Sequence, residues 1–467
     1  MGINDIPTEI LDLIFSCLRH EKPIEVNPHH DPLTSPQSLR NARLVCRQWN
    51  TLATKHLFRA IALMHDLDDP DFAKWKQAVR SPIVQNAARE AEIFSTRPLR
   101  GWEMELERDY QVWESWESGN WPEFVTAIQD LAELPNLRAV KILFTTGCQG
   151  SVDHYYPPSV LEPVATREYT MEYVFLALQQ RKARANVTPV TSLTIENLQN
   201  FPFDYILRTE CFRSLVEDIT ELRLLVVTET DPYMPSLDQL LEERHIFEPW
   251  LQKHLLPCFA SQLTTLHLAF REPWGVAPGY FDGRGLRFPN LKSLMLTQYV
   301  IGHHNQFDWV LSQTTLEALC LEQCQIVSYL EYREGDLQPW GPLPTHDWKP
   351  VIEGRIHSFD GTWEVVLDAI RTRLSNLVEF RMGHPNTLPG HGLRNFDEIG
   401  CYLSNLRYAT FRARGIPPWM PPTADGVMEF PKWSSREVNR AKETEKGDTR
   451  ALKELVNAVE ERARRRS

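Results

Sequence analysis

The sequence predicts an α/β protein in which three short N-terminal helices precede an irregular solenoid, with a curved parallel sheet and helices on its convex side. Two patterns support this prediction. Apolar residues recur at helical spacing from Ile6 to Leu18, and a strand-like motif recurs through the rest of the chain. An ordinary globular composition, with 42% hydrophobic and 24% charged residues, provides apolar side chains for both parts.

Charge and cysteine content restrict the partners and the compartment. A net charge of -12 and a pI near 5.7 disfavour nucleic acid, because its phosphates would meet an unfavourable overall field. The eight cysteines form no C-x-x-C pairs, which is typical of a reducing compartment. No apolar run approaches the roughly 20 residues that span a bilayer, and the N-terminus lacks a signal-peptide pattern. We expect a cytoplasmic or nuclear protein without membrane or nucleic-acid partners.

The N-terminal helices are predicted from the spacing of apolar residues. Pro7 suits the first helical turn, where its missing N–H is not needed. A second apolar segment, residues 39–58, predicts two further short helices. Three short helices enclose little core, so their apolar residues either pack internally or form a docking face. One helical face comprises Ile6, Ile10, Leu11, Ile14 and Leu18.

Two motifs in this region resemble those of F-box domains. Residues 6–10, IPTEI, resemble the L-P-x-E-I opening, and residues 44–50, LVCRQWN, resemble the V-C-[RK]-x-W segment. The resemblance implies binding to a Skp-type adaptor and, through it, to a cullin of a ubiquitin ligase. The link formed by residues 21–37 is longer than is usual in the family. By this resemblance, the adaptor-contacting or core positions are Ile6, Pro7, Ile10, Leu11, Ile14, Leu39, Val45, Cys46 and Trp49.

The rest of the chain contains a repeated motif. Residues 316–326 fit L-x-x-L-x-L-x-x-[NC]-x-[LI] at every specified position, which is typical of a leucine-rich repeat. Degenerate copies begin at residues 137, 190, 219, 263, 291, 377 and 406, and four intervals between successive copies are 25 to 29 residues. Several copies follow Pro-Asn-Leu or Ser-Asn-Leu. Together the two parts resemble F-box proteins of the fungal type with degenerate leucine-rich repeats.

The side chains that flank the strand leucines are predicted to face outward on the concave side of the sheet. They carry charges of both signs, which suits a protein partner better than a polymer of one charge. We therefore predict that a target protein binds there. The predicted target-binding residues are Arg223, His267, Lys292, Glu317, Glu322 and Arg381.

Four regions follow from these patterns. Residues 1–60 are predicted to form the F-box, residues 61–130 a linker and N-terminal cap, and residues 131–415 the repeats. Within the repeats, an insertion near 327–361 is either a binding element or a flexible loop. Residues 416–467 are predicted to form a C-terminal strap and a charged tail that is either a solvated helix or disordered.

Catalytic or metal-binding motifs would indicate an alternative to a binding function. The sequence has no G-x-x-x-x-G-K-[ST], G-x-S-x-G or H-E-x-x-H. The pairs His29-His30 and His303-His304 lack a third ligand at diagnostic spacing, so neither a metal nor another cofactor is expected.

The function predicted is that of a non-catalytic substrate-recognition subunit of an SCF-type (Skp–cullin–F-box) ubiquitin ligase. A non-ligase F-box scaffold or protein-interaction module remains the alternative, and an enzyme on the repeat domain is the third.

Overall fold

The computed structural model describes residues 6–19, 37–64, 71–95, 121–148, 162–229, 241–332, 346–352, 356–384, 392–413, 418–420 and 440–466. The chain divides into two compact units. The first contains residues 1–145, 154–195 and 205–218, and the second contains residues 146–153, 196–204 and 219–467. Each unit is mixed α/β in its described part, and its neighbouring strands are mostly parallel.

The first unit begins with helices and continues into parallel strands. Its strands β1 (Ala60–Leu63), β2 (Glu90–Phe94) and β3 (Ala139–Leu143) pair in that order. Strand β4 (Ser192–Gln199) and helix α8 (Asp204–Arg208) have residues in both units. The other helices are α1 (Thr8–Arg19), α2 (Gln37–Ala42), α3 (Arg47–Leu57), α4 (Ala73–Arg80), α5 (Pro82–Ala87), α6 (Pro122–Gln129), α7 (Val164–Lys182) and α9 (Glu210–Val216), with a 3₁₀ turn at Asp130–Glu133.

The second unit contains the larger set of strands. A parallel series runs through β5 (Glu221–Val227), β6 (Thr265–Trp274), β7 (Ser293–Ile301), β8 (Ala318–Glu322) and β12 (Glu379–Gly383). The remaining strands are β9 (Gln325–Glu331), β10 (Lys349–Ile352), β11 (Ile356–Ser358), β13 (Tyr408–Arg412) and β14 (Trp419–Met420). Its helices are α10 (Glu243–Trp250), α11 (Leu256–Phe259), α12 (Asp308–Leu311), α13 (Trp363–Arg373) and α14 (Arg440–Arg466), with a π turn at Leu251–Leu255 and a 3₁₀ turn at Phe396–Glu398.

A repeated backbone contact marks the start of the parallel strands. One carbonyl oxygen before a strand accepts two successive N–H groups from the start of the next strand. In the first unit the accepting carbonyls belong to Arg59, Arg89 and Arg138, and in the second unit they belong to Thr220, Thr264, Lys292 and Glu317. Because the contact recurs, neighbouring strands start in the same register.

The asparagines of the Pro-Asn-Leu and Ser-Asn-Leu motifs make a second repeated contact. Each side-chain amide donates to a carbonyl earlier in the chain: Asn136 to Gln85, Asn290 to Ser261 and Asn376 to Thr314. The motif therefore joins its own turn to the helix or turn that precedes the neighbouring strand. The following leucines, at 137, 291 and 377, are fully buried.

The predicted strand positions agree with the structure. The eight motif copies lie at β3, β4, β5, β6, β7, β8, β12 and β13. In the best copy, Leu316, Leu319 and Ile326 are fully buried and Leu321 nearly so, as expected for apolar residues that alternate with outward-facing ones.

Two regions of the second unit differ from the expected loop and tail. The described part of the 327–361 insertion is not a loop but an antiparallel arrangement in which β11 pairs with both β9 and β10.

The prediction of a solvated or disordered tail is wrong for residues 440–466. Helix α14 buries Ala451, Leu455 and Val459, because these apolar residues recur at i, i+4 and i+8 and form a packing stripe. Of the predicted strap, residues 418–420 are described, and they pair with β13.

Candidate functional site

The three N-terminal helices enclose a small apolar core. Leu11 and Phe15 of α1 lie one helical turn apart and are fully buried. They pack with Leu39 and Ala42 of α2 and with Ala53 of α3. The Phe15 ring also meets the ring of Trp49 edge to face, with centroids 5.2 Å apart. The tryptophan of the second motif therefore anchors α3 against α1.

Polar contacts fix the angle between α1 and α3. Asp12 Oδ1 lies 2.8 Å from Nε2 of His56, which is buried, and 3.2 Å from Lys55 Nζ. The hydrogen bond to His56, with a smaller contribution from Lys55, holds the pKa of Asp12 below its usual value. At the start of both helices, Gln48 Nε2 donates to Thr8 Oγ1 at 3.1 Å.

A group of apolar side chains on this domain faces solvent. Its large members are exposed by 41% to 86%, and they account for five of the twelve exposed large hydrophobic residues in the described chain. Because the Gln48–Thr8 contact joins the starts of α1 and α3, the turn before α3 lies at the same end of the domain as Pro7. We call this group the docking surface: Pro7, Ile10, Leu13 and Ile14 at α1, and Leu44 and Val45 before α3.

The predicted adaptor-binding residues fall into three groups by their exposure. Pro7, Ile10, Ile14 and Val45 are exposed, and Ile6, Cys46 and Trp49 are partly buried. Leu11 and Leu39 are fully buried, so of the two roles that the resemblance allowed, adaptor contact or core, they take the core role and are not contact residues. Leu13 and Leu44, which the resemblance did not include, are the two most exposed large apolar residues in the described part of the domain. The sequence could have indicated both residues, because Leu13 adjoins Ile14 and Leu44 adjoins Val45.

Three of the predicted target-binding positions, Arg223, His267 and Arg381, lie in one row across the strands, with Met295 and Cys320 between them. Backbone pairing places Arg223 beside His267, His267 beside Met295, Met295 beside Cys320, and Cys320 beside Arg381. The register predicted from the repeats therefore brings these side chains to one face of the second unit.

Part of this face is covered by the protein itself. Residues 392–401, which we call the crossing segment, run over it from β4 to β12. At one end, Leu393 N donates to Glu196 Oε1 at 3.3 Å, and at the other Cys401 bridges to Met382. Between these points, Ile399 packs on Met295 and Cys320, and all three side chains are buried.

A polar chain lies beneath the crossing segment. His267 Nε2 is 3.1 Å from Thr297 Oγ1, which donates to Glu322 Oε2 at 3.0 Å. Arg394 of the crossing segment is 3.4 Å from the other oxygen of Glu322. Burial, with a smaller effect of Arg223, lowers the pKa of His267 to about 3, and burial raises the pKa of Glu322.

The prediction that His267 and Glu322 contact a target is wrong for this conformation. Their exposures are 4% and 2%, because the crossing segment and neighbouring strands cover them. Lys292 and Glu317 precede β7 and β8 and form an exposed ion pair at 2.8 Å, with Arg466 of α14 near Glu317.

The two predicted arginines keep partial exposure. Arg223 pairs with Glu221 of its own strand, and Arg381 pairs with Glu379. Both are accessible at the margin of the covered area, so the row of predicted target contacts is reduced to its two ends.

The crossing segment was missed because it has no leucine periodicity. A local signal was present: Asn395 and Glu398 form a capping box around the turn Phe396–Glu398, as the spacing N-x-x-E allows. That pattern predicts a turn but not its packing on strands up to almost 200 residues earlier in the sequence.

Among the described residues of the second unit, the buried acidic groups Glu243 and Glu248 line a small cavity. Burial raises the pKa of Glu229 to about 8, and contact with Glu243 adds to the effect. Burial likewise raises the pKa of Glu248 to about 8. The cavity that Glu243 and Glu248 line has a volume of about 20 Å³, which accommodates about one water molecule.

Of the two histidine pairs considered as metal ligands, the structure describes one. His29 and His30 lie outside the described residues. His303 and His304 diverge: the His304 side chain approaches Asp360 at 3.1 Å, whereas His303 turns inward toward Asp347. Among the described residues, His303, His346 and Asp347 are the group that could hold a metal ion.

A small helical domain with an exposed apolar surface, followed by stacked parallel strands, defines a protein with an N-terminal interaction module. Residues 3–64 match the F-box-like family, so the chain carries an F-box-like domain. The match characterises the N-terminal domain of the 467-residue chain. A comparison with curated proteins gives no match. No helix in the described part of the chain is long and apolar enough to cross a membrane.

Proposed function

We propose that this protein is a substrate-recognition subunit of an SCF-type ubiquitin ligase. In this role the F-box-like domain binds a Skp-type adaptor, and through it a cullin, while the second unit binds a target protein. The observation that carries the proposal is the docking surface, which lies within the residues that match the F-box-like family. F-box domains commonly bind adaptors of this type.

The docking surface supports binding by burial. Complete burial of a Leu or Ile side chain contributes about 1.5–3 kcal/mol, so side chains that are already half-buried add roughly half as much. Leu44, at 86% exposure, has the most surface to lose. Several such residues on a preformed helical surface offset the entropic cost of association.

We further propose that the repeated strands form a degenerate leucine-rich-repeat solenoid. The recurring strand-entry carbonyls and the asparagine contacts support a stack of similar units. A solenoid of this kind presents an extended face to a partner. The predicted contacts that stay at least partly exposed are Arg223, Lys292, Glu317 and Arg381. We place target binding at the uncovered margins of this face.

The proposed contribution to catalysis is proximity. The chain itself carries out no bond chemistry in this proposal. It holds a target lysine close to a ubiquitin-charged enzyme that is supplied by other subunits, which makes the transfer effectively unimolecular.

Co-purification with a Skp-type adaptor and a cullin tests the proposal. The full chain should capture both, and the double variant Ile10→Asp, Ile14→Asp should lose both because two charges would be buried at the contact. Ile83→Asp is the matched control: Ile83 is 57% exposed on α5, outside the family match. Undiminished capture by the double variant would contradict the proposal.

A non-ligase scaffold is the second candidate, and the crossing segment favours it. A face that is covered by its own chain has less room for a target. The same co-purification separates the two functions. Adaptor without cullin supports the scaffold, and adaptor with cullin together with stabilisation of a bound protein by proteasome inhibition supports the ligase subunit.

A further inference from the structure

We propose that His303, His346 and Asp347 form a binding site for a divalent transition-metal ion, with Zn²⁺ as the ion that best fits the donors. Two imidazoles and one carboxylate are ligands that zinc takes in proteins, with a fourth position left for water. The three residues come from two places in the second unit, the turn after β7 and the turn before β10.

The distances around Asp347 suit a shared ion. His303 Nδ1 and His346 Nε2 each lie 3.3 Å from the same oxygen, Asp347 Oδ2. Zinc binds nitrogen and oxygen at about 2.0–2.2 Å, so two ligand atoms of a tetrahedral ion are roughly 3.3–3.5 Å apart. All three donor atoms lie within 4.8 Å of one another.

Neighbouring side chains hold His303 in place, whereas His346 can change its side-chain conformation. The His303 side chain is fully buried, and its ring stacks on Trp348 with centroids 5.2 Å apart. Trp348 is itself fixed by a bond from Nε1 to the carbonyl oxygen of Gly302. The His346 ring stacks on His303 at 5.1 Å but is 58% exposed, so it can rotate to direct Nε2 at an ion.

A polar contact with Asp347 orients the His303 ring. Its Nε2 is buried and has no hydrogen-bond partner among the described residues. Asp347 is thus the polar side chain that orients this ring. Asp347 Oδ2 is oriented in turn by the backbone N–H of His304 at 3.1 Å.

The site would join two segments that are 43 residues apart in sequence, counted from His304 to Asp347. An ion bound to His303, His346 and Asp347 would fix the turn before β10 to the turn after β7. The proposed role is structural attachment of the inserted strands, and it does not depend on the proposed ligase function.

Metal titration of the full chain tests the proposal, after removal of adventitious ions by dialysis against a chelator. Isothermal titration with Zn²⁺ should give one ion per chain, and Co²⁺ should show the visible absorption of a tetrahedral complex. His346→Ala and Asp347→Asn should each weaken Zn²⁺ binding at least tenfold. Asn keeps an oxygen for the His304 N–H, and His346 is exposed, so both variants should fold.

His304→Ala is the matched control, because its side chain pairs with Asp360 instead of the site. It should bind Zn²⁺ within about twofold of the unaltered chain. Absence of Zn²⁺ binding to the unaltered chain would overturn the proposal and leave a hydrogen-bonded His–Asp–His group. Equal binding by all variants, or equal loss in His304→Ala, would also overturn it.

Discussion

Arg407 and Asp448 form a buried ion pair that attaches the C-terminal helix to the strand region of the second unit. Arg407 Nε lies 2.9 Å from Asp448 Oδ2, and the side chains are 4% and 0% exposed. Asp448 also accepts from Tyr408 Oη at 3.1 Å, from Thr444 Oγ1 at 2.7 Å and from the backbone N–H of Glu364 at 2.9 Å. One carboxylate therefore joins β13, α13 and α14.

Removal of this carboxylate should destabilise the second unit strongly. Asp448→Ala leaves the Arg407 guanidinium buried without its counter-charge, and breaking a buried pair in this way typically costs about 3–5 kcal/mol. Urea unfolding should show this loss in the unfolding free energy. Glu461→Ala is the control, because its pair with Arg465 is exposed and should change stability by less than about 0.5 kcal/mol. Similar values for the two variants would refute the structural role of Asp448.

The docking surface and the core beneath it should respond differently to truncation. Leu44→Ala should weaken adaptor binding and leave the melting temperature almost unchanged, because Leu44 is 86% exposed. Leu11→Ala should destabilise the N-terminal domain by about 2–5 kcal/mol, the usual cost of a cavity at a buried leucine. Calorimetry and adaptor titration measure the two effects. A stable Leu11→Ala variant that cannot bind the adaptor would instead place Leu11 at the contact.

The crossing segment should protect the Cys320 thiol, which is fully buried against Ile399. Ile399→Ala removes apolar contact and should raise the rate of Cys320 alkylation about tenfold or more, since each 1.4 kcal/mol of easier opening gives a factor of ten. Mass spectrometry separates Cys320 from the exposed Cys17, Cys258 and Cys401. Ile246→Ala on α10 is the control, and an unchanged rate in Ile399→Ala would show that another element covers the thiol.

The raised pKa of Glu248 predicts that the stability of the protein depends on pH. Its pKa is about 8 in the folded protein, against an ordinary value of 4.5, because it is buried. The folded protein retains the proton, so the stabilisation is complete below pH 4.5 and is lost as the pH rises toward 8. Glu248→Gln should remove this loss, and its stability relative to the unaltered protein should rise by about 1.4 kcal/mol per pH unit in that window.

Chemical denaturation at several pH values between 4.5 and 8 measures this difference. Glu242→Gln, at an exposed position just before α10, should follow the unaltered protein throughout. If the unfolding free energies of Glu248→Gln and the unaltered protein changed with pH in the same way, Glu248 would be ionised in the folded state.

The parts of the fold that were predictable have local periodic signals. Leucines and other apolar residues at fixed spacing identified eight strands, because each strand buries the same positions of the motif in the core. The helical stripe from Ile6 to Leu18 identified α1, although its inward and outward sides were not separable: Leu11 and Ile14 differ in burial but not in apolar character.

The parts that were missed depend on contacts between distant residues. The stripe of α14 was present in sequence, but nothing local showed that Asp448 pairs with Arg407. The ligands His346 and Asp347 are likewise more than 40 residues from His303, so spacing rules for metal sites do not detect them. The crossing segment illustrates the same limit, because its partners lie on β4, β7, β8 and β12.

The length of chain between Glu196 and the crossing segment has a consequence for biosynthesis. Leu393 emerges from the ribosome 197 residues after Glu196, so the strands between them are synthesised long before their cover. During that interval Met295 and Cys320 lack Ile399, and the nascent sheet presents an uncovered apolar strip. Such surfaces attract chaperones or neighbouring chains, and a truncation before residue 392 should therefore aggregate more readily than the full-length protein.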